Sequence, residues 1–466
     1  MELINRLFNP ISRLKKEDIK GELPPIGALY KKTIKFAWPC ILETVSGALI
    51  SAIDMAMVGS IGKEAISAVG ICNQPVLLCL VPTNAIITAA VVLIARRKGQ
   101  NNQQSANDYL KVALILGVAF SLLFCGFFYL FSKEALLFAG ANSDYLEIAN
   151  EYFRIRLSSL LLFSLAAIMS GAQRGVGNTK ISMFTNLSAN VINIIFNALL
   201  IHGLLGFPRL GVKGAAIATS IGHGVAFVIA LISVLRKDRY LVLNFKKIPH
   251  ILYKIKKMFS IFTSVFIEQF ITRFGFFAYA IIVATLGTAE FAAHQICINI
   301  VSINFSIANG LQAANTSLVG HSLGADRSDL AIIHSRITQN IGIIFSLINA
   351  FLILVFPKEI CMIYTNDLEV IRLTDIPMKI MVVAVFFQMM QTITIATLRG
   401  AGDVRFVTWM MLISTVGIRA GVSYIFVYIL NLGLIGAWLG LLLDQLTRFT
   451  ISYIRFKQGK WVNIKV

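Results

Sequence analysis

The stretch RKDRYLVLNFKKIPHILYKIKK, from Arg236 to Lys257, packs eight lysines and arginines between two long apolar territories and divides the chain in two. Before it, apolar windows fall near residues 34–58, 66–95, 110–131, 147–171, 181–201 and 213–235. After it they fall near 259–286, 291–319, 337–356, 372–398, 405–430 and 433–454. About 20 predominantly apolar residues cross roughly 30 Å of hydrocarbon as a helix. The windows therefore predict an all-α integral membrane protein with twelve transmembrane helices in two pseudo-symmetric six-helix bundles. The expected organisation is an N-terminal segment 1–33, an N-lobe 34–235 holding helices 1–6, and a basic linker 236–258. A C-lobe 259–456 holding helices 7–12 and a tail 457–466 complete it.

Composition agrees with that reading. Of 466 residues, 57% are hydrophobic and only 14% charged, with a mean hydropathy of +0.76, against about a quarter charged in soluble domains. The net charge of +19 invites a nucleic-acid reading, but the lysines and arginines sit between apolar runs rather than along one face, so no nucleic-acid partner is expected. No short apolar stretch with a small-residue cleavage site follows the basic start, and no cleaved signal peptide is expected. The six cysteines are scattered, without a CxxC pair or a histidine at metal spacing, and read as small buried hydrophobes.

Charge sets the orientation. With the N-terminus in the cytoplasm, the inner segments collect the eight basic residues from Arg6 to Lys35, then Arg96, Arg97 and Lys98, Arg174 with Lys180, and the linker's eight. Arg327 with Arg336, Arg399 with Arg405, and Arg455, Lys457, Lys460 and Lys465 complete that set. The outer segments hold Lys63, Lys133, Arg209, Lys213, Lys358 and Arg372. The bias places both termini in the cytoplasm and the chain as a multi-pass protein of the plasma (bacterial inner) membrane.

The two sets of windows also resemble each other at an offset of 225 residues. Glu43 maps on Glu268, Gly62 on Gly287, Ile71-Cys72 on Ile296-Cys297, and Lys133-Glu134 on Lys358-Glu359. Arg174-Gly175-x-Gly177 maps on Arg399-Gly400-x-Gly402; after helix five the register slips by three, so that Gly214-Ala215 matches Gly436-Ala437. Six spans return the chain to its starting side, so the halves are a parallel repeat. Two like bundles enclosing a central cavity have the geometry of a transporter.

The run Asp54-Met-Ala-Met-Val-Gly59-Ser-Ile-Gly62, followed by Ala65-Ile-Ser-Ala68-Val-Gly70, resembles the helix 1–2 signature of the multidrug and toxic compound extrusion (MATE) family, bacterial branch. Gln173-Arg174-Gly175-Val-Gly177-Asn178-Thr179 and Gly211-Val-Lys-Gly214-Ala215-Ala-Ile-Ala-Thr219 resemble its later motifs. So do Leu398-Arg399-Gly400-Ala-Gly402-Asp403 and Gly433-Leu-Ile-Gly436-Ala437. The likeness covers the chain beyond about Leu29. It implies an antiporter: H+ or Na+ runs inward while small amphipathic or cationic compounds leave.

Carboxylates inside a bilayer are expensive and mark function. Glu43 and Asp54, eleven residues apart, fall on one helix face about 16 Å apart. By resemblance Asp54 is the family's helix-1 acid, binding a proton or Na+ with polar residues of helices five and six. Asn193 and Asn197 lie one turn apart on helix five, and Thr219 matches the hydroxyl partner on helix six. Some relatives carry an aspartate where Asn197 stands, so this site has one charge fewer. Pro39 matches a helix-1 proline; it cannot donate to the helical ladder and is read as a hinge. Glu268 matches the helix-7 acid and, with Glu43, forms a secondary charge site, for which a neutralising pair with Arg273 is the structural alternative. Where many relatives place a helix-10 carboxylate, Gln388 and Gln391 offer amides. Asp444 and Arg448, at i and i+4, are expected to pair.

No Walker A motif and no nucleophile or HExxH constellation is present, so neither ATP-driven transport nor an enzyme is expected, and no cofactor. The expected partners are the solute, the coupling ion and the lipid bilayer, with the protein a monomer. The competing reading is a lipid-linked precursor flippase of the same broad superfamily. Such proteins call for a strongly cationic cavity, whereas Glu43, Asp54 and Glu268 favour cationic cargo.

Overall fold

The structure is a computed structural model, and it describes residues 9–12, 14, 17, 19–244 and 246–464. Much of the basic stretch before Lys20, with Lys465 of the tail, lies outside the described residues. Among the described residues twelve helices are long and apolar enough to cross a membrane: α1 (Ile26–Gly59), α2 (Lys63–Gly99), α3 (Gln103–Leu130), α4 (Ser143–Gly175), α5 (Thr179–His202) and α6 (Gly211–Leu235). The second set is α7 (Ile251–Ala284), α8 (Thr288–Gly324), α9 (Ser328–Val355), α10 (Leu368–Ala401), α11 (Val404–Ile429) and α12 (Gly433–Lys457). Short helices Ser132–Phe138 and Pro357–Met362 follow α3 and α9 in matching positions. The expected twelve spans and all-α class stand.

Several helices outrun their apolar windows. The α2 ladder continues through Arg96, Arg97 and Lys98, cations in its last turn that complement the helix dipole. Similarly, α7 begins at Ile251, within the basic stretch.

The repeat is written into the backbone as well as the side chains. Positive φ occurs at Gly62 and Gly287 (148° and 138°), at Asn101 and Asp326 (55° and 56°), and at Gly177 and Gly402 (93° and 92°). Each pair is separated by 225 residues. Only glycine, asparagine and aspartate enter this region at low cost, so the three turns are conserved between the halves by stereochemistry. After α5 the slip of three reappears, Gly211 (57°) matching Gly433 (55°). The connection after α5 covers 203–210, whereas the one after α11 covers only 430–432.

Packing divides the chain into two compact units, one running from Leu42 to Phe266, the other joining the chain up to Ile41 with the chain from Ile267. The dividing points lie inside α1 and α7, not in the 236–258 connection where the sequence repeat ends. The reason is visible in the contacts. In one unit the start of α1 packs on α9: Thr33 Oγ1 lies 2.9 Å from His334 Nδ1, and Asn340 Nδ2 donates to the Tyr30 hydroxyl at 2.9 Å. In the other, the start of α7 packs on α3: Lys254 bonds Asp108 at 2.6 Å and the Phe262 and Phe120 rings meet at a tilt of 37° with centroids 4.7 Å apart. Between helices in lipid, close packing and hydrogen bonds replace the hydrophobic drive. Gly310 illustrates this, since a Cβ there would sit 2.5 Å from the Ile41 Cα.

Among the described membrane helices, α11 departs from α geometry. Over Ile413–Val422 and Ile425–Ile429, α11 winds with the wider π-type i→i+5 pattern, which is rare and recurs at functional sites.

Candidate functional site

Within the Leu42–Phe266 unit, α1 and α5 meet at a constant register of 143 residues. Asn186 Nδ2 donates to Glu43 Oε1 at 2.9 Å, and eleven residues further along both helices Asn197 Nδ2 donates to Asp54 Oδ1 at 2.6 Å. These are two rungs of one ladder, about 16 Å apart along the axis.

The outer rung holds the four residues predicted from the sequence. Asn193 lies between Asp54 and Thr219. With its amide nitrogen toward α1 it donates to Asp54 Oδ1 and Oδ2 at 2.9 and 3.1 Å, while its oxygen accepts from Thr219 Oγ1 and N at 3.3 and 3.2 Å. Turned over, its nitrogen donates to Thr219 Oγ1 at 3.3 Å and its oxygen accepts from Asn197 at 3.4 Å. Asn197 is 1% exposed and its Oδ1 has no hydrogen-bond partner. The site depends on close approach of α6 to α5. A Cβ at Gly214 would fall 2.5 Å from the Leu200 carbonyl oxygen, and one at Gly222 would fall 3.0 Å from that of Ala189 and 3.3 Å from the Asn193 Cβ.

Arg156 of α4 also borders this site, and nothing in the motif reading pointed to it. Its charge acts on Asp54 and on His223. The guanidinium lies 6.0 Å from the Tyr152 ring centroid, and its Nε is buried without a hydrogen-bond partner. His223 in turn faces Ser159 Oγ at 3.0 Å. An arginine, with Arg154, at the polar start of an apolar run was the available signal.

The inner rung is an ion pair. Arg174 Nη1 donates to Glu43 Oε1 at 2.7 Å and to Ser182 Oγ at 2.7 Å, and Ser182 donates to Glu43 Oε2 at 2.9 Å. Both carboxylate oxygens are satisfied. In the second unit the repeat mates join in the same way: Arg399 Nη2 donates to Glu268 Oε1. Glu268 is thus paired with Arg399 of α10, the repeat mate of Arg174 at the same separation of 131 residues, and not with Arg273 of its own helix, the structural alternative that the sequence left open. Here Glu268 is 1% exposed and its Oε2 has no partner. The mates of Ser182 and Asn186 are Val407 and Met411, which have nothing to donate.

The outer rung has no counterpart. At the positions matching Asp54, Asn197 and Thr219 stand Tyr279, Val422 and Leu441, and the Tyr279 hydroxyl donates to the Ala437 carbonyl at 3.1 Å. The second unit instead buries a cluster around Asp444. The expected Arg448 pair is present at 2.8 Å, Arg419 adds a contact at 2.9 Å to the other oxygen, and Ser414 donates to Oδ1. Ser414 and Arg419 lie on the π-type segment of α11, so the wider winding carries this cluster's ligands. Pro39 lies within α1, two residues before Ile41, where the helix changes unit.

Comparison with known proteins follows from this geometry. The MatE family model matches residues 39–199 and 264–425, one match in each half. The "Probable multidrug resistance protein NorM" of Thermotoga maritima is 28% identical over 442 residues, covering 95% of this chain and 94% of that protein. The uncharacterized transporter YisQ of Bacillus subtilis is 24% identical, covering 91% and 93%. Among solved structures, an outward-facing multidrug resistance MATE family transporter superposes with a TM-score of 0.87 at 19% identity, covering 97% of this chain and all of that one. A MOP superfamily transporter from Pyrococcus furiosus gives 0.87 at 20% identity, covering 94% and 97%.

Proposed function

The chain belongs to the MatE family of multidrug efflux transporters and is not an enzyme, and from that premise we propose that it exports amphipathic, cationic organic compounds by alternating access, in exchange for H+ or Na+ bound at Asp54. The observation that supports this reading is the Asp54–Asn193–Asn197–Thr219 constellation, an acid on one membrane helix gripped by amides of another.

The chemistry follows from the donors available. An ionised Asp54 accepts hydrogen bonds from both asparagines. Neutralisation by a proton turns one carboxyl oxygen into a donor, and the Asn193 amide then presents its oxygen to α1 and its nitrogen to Thr219. Both orientations are already accommodated by the surrounding groups. A Na+ ion would instead draw on Asp54, Thr219 and the asparagine oxygens. In either case ion binding changes the α1–α5–α6 contacts, and Pro39 provides the hinge at which α1 responds.

In the proposed cycle, cargo binds from the cytoplasmic side while Asp54 is ionised and is carried outward. Ion entry from outside neutralises Asp54, favours release and resets the protein. Glu43 and Glu268, read as secondary charge sites, are each paired with an arginine, so the negative charge offered to a cationic cargo is that of Asp54. The basic segments, including the α6–α7 connection, place both termini in the cytoplasm of the plasma membrane.

The test is uptake of a fluorescent organic cation into everted vesicles, whose cytoplasmic face is outside, imposing a pH gradient and a Na+ gradient separately. Movement driven by one gradient and abolished by its collapse is expected. Protein that inserts normally yet moves no cation under either gradient overturns the reading.

A further inference from the structure

We propose that an anionic phospholipid binds the Leu42–Phe266 unit, with one acyl chain in an apolar groove between α3, α4 and α6 and its headgroup on the connection that follows α6. The groove has a volume of about 420 Å³ and is lined by Leu114, Ile115 and Val118 of α3, Leu165 of α4, Phe227 of α6 and Leu243 of the connection, among others. Ile115 and Val118 are 48% and 37% exposed. In a membrane-spanning segment those surfaces meet hydrocarbon.

What distinguishes this groove from the rest of the lipid-facing surface is its polar end. The connection is not a loose tether. Leu243 N donates to the Val234 carbonyl at 2.7 Å and Val242 N to Asn107 Oδ1 at 3.0 Å. Lys111 Nζ reaches Asn244 Oδ1 at 3.2 Å and the Lys246 carbonyl at 3.0 Å, and Gln103 Nε2 donates to the Tyr240 carbonyl at 2.8 Å. Lys98 sits 3.6 Å from the centre of the Tyr240 ring. These bonds seat Leu243 in the groove and hold the neighbouring cations at its mouth.

Charge then selects the headgroup. Arg236, Lys237, Lys246 and Lys247 are exposed and enter no ion pair among the described residues. The nearby acids are already used: Asp108 is bonded by Lys111 at 3.0 Å and Lys254 at 2.6 Å, and Asp238 lies 3.7 Å from Arg239. The four remaining cations are exposed, on the connection whose Leu243 lines the groove, and without an acidic partner among the described residues, which suits a phosphodiester carrying net negative charge. Basic residues beside membrane helices each strengthen binding to anionic lipid on the order of fivefold. The concave apolar bed limits this to one chain, and the cations limit it to one sign of headgroup. The assignment is independent of the transport reading.

Native mass spectrometry of the full-length protein in detergent tests it, using phosphatidylglycerol and phosphatidylcholine with identical chains. The parent should retain the anionic lipid at least about fivefold better than the zwitterionic one. Lys246→Glu with Lys247→Glu should bring that ratio near one while both lipids still bind. Leu114→Trp, which fills the groove, should reduce retention of both. Size-exclusion profiles establish that the variants are folded, and the milder Lys246→Gln with Lys247→Gln pair replaces the charge reversal if that variant aggregates. Equal retention of the two lipids by the parent, or a ratio unmoved by either lysine pair, overturns the proposal.

Discussion

Glu43 with Arg174 and Glu268 with Arg399 are the same ion pair built twice, and they differ in everything around it. The first has Ser182 and Asn186 as additional donors and side chains 13% and 16% exposed for Glu43 and Arg174. The second has Val407 and Met411 in those places, side chains 2% and 9% exposed, and a carboxylate oxygen with no partner. Duplication preserved the charge pair because either residue alone would be an uncompensated buried charge. The supporting hydrogen bonds were free to drift. The same contrast continues along the helices: the first half has a second polar rung at Asp54, whereas the second has Tyr279 and a closed cluster at Asp444.

The contrast can be broken most sharply at the outer rung. Asp54→Asn should lower gradient-driven transport at least about tenfold, a barrier or binding change of about 1.4 kcal/mol or more, while Tyr279→Phe at the mate position should leave it within about twofold; uptake into everted vesicles corrected for protein amount decides. Equal losses would mean the halves share the coupling role.

Next in size come the arginines. Arg399→Ala strands Glu268 in a dry setting and should destabilise the protein by about 3–5 kcal/mol. Arg174→Ala should cost about half as much, because Glu43 keeps two neutral donors. Thermal unfolding in detergent, followed by loss of the monodisperse peak, ranks the two, and reversal of their order would sink the comparison.

The smallest effects sharpen it. Asn186→Met makes the first half resemble the second and should cost about 1 kcal/mol, the net worth of one hydrogen bond. Met411→Asn makes the second resemble the first and should gain about 1 kcal/mol by supplying a donor to Glu268 Oε2. A loss in the second variant, measured by the same unfolding assay, would show that the site tolerates no polar group.

Much of this was legible before any coordinates. The twelve spans rest on hydropathy and the 225-residue repeat on motifs that recur in register; the Asp54–Asn193–Asn197–Thr219 grouping rests on the resemblance to the family, helical spacing alone giving only Asn193 and Asn197 on one face. The ion pairs were half visible. Both members of each were among the matched positions, but contact across 131 residues follows from packing and not from spacing, so Arg273, five residues from Glu268, was the nearer candidate. Helix ends were misjudged where charged residues extend an apolar helix, as at Arg96 and Ile251. The π-type winding of α11 has no compositional mark at all. Arg156 was overlooked because, with Arg154 at the polar start of its apolar run, it belongs to no motif.

Because residues 26–41 of α1 find their seat on α9, and 251–266 of α7 find theirs on α3, neither six-helix half is complete as it leaves the ribosome. The nascent first half has to leave residues 26–41 of its leading helix unplaced until α9 has been synthesised, and its own third helix stays partly uncovered until α7 begins. Maturation is therefore an exchange of leading segments, so two fragments cut in the connection after α6 would mature only when expressed together in one membrane.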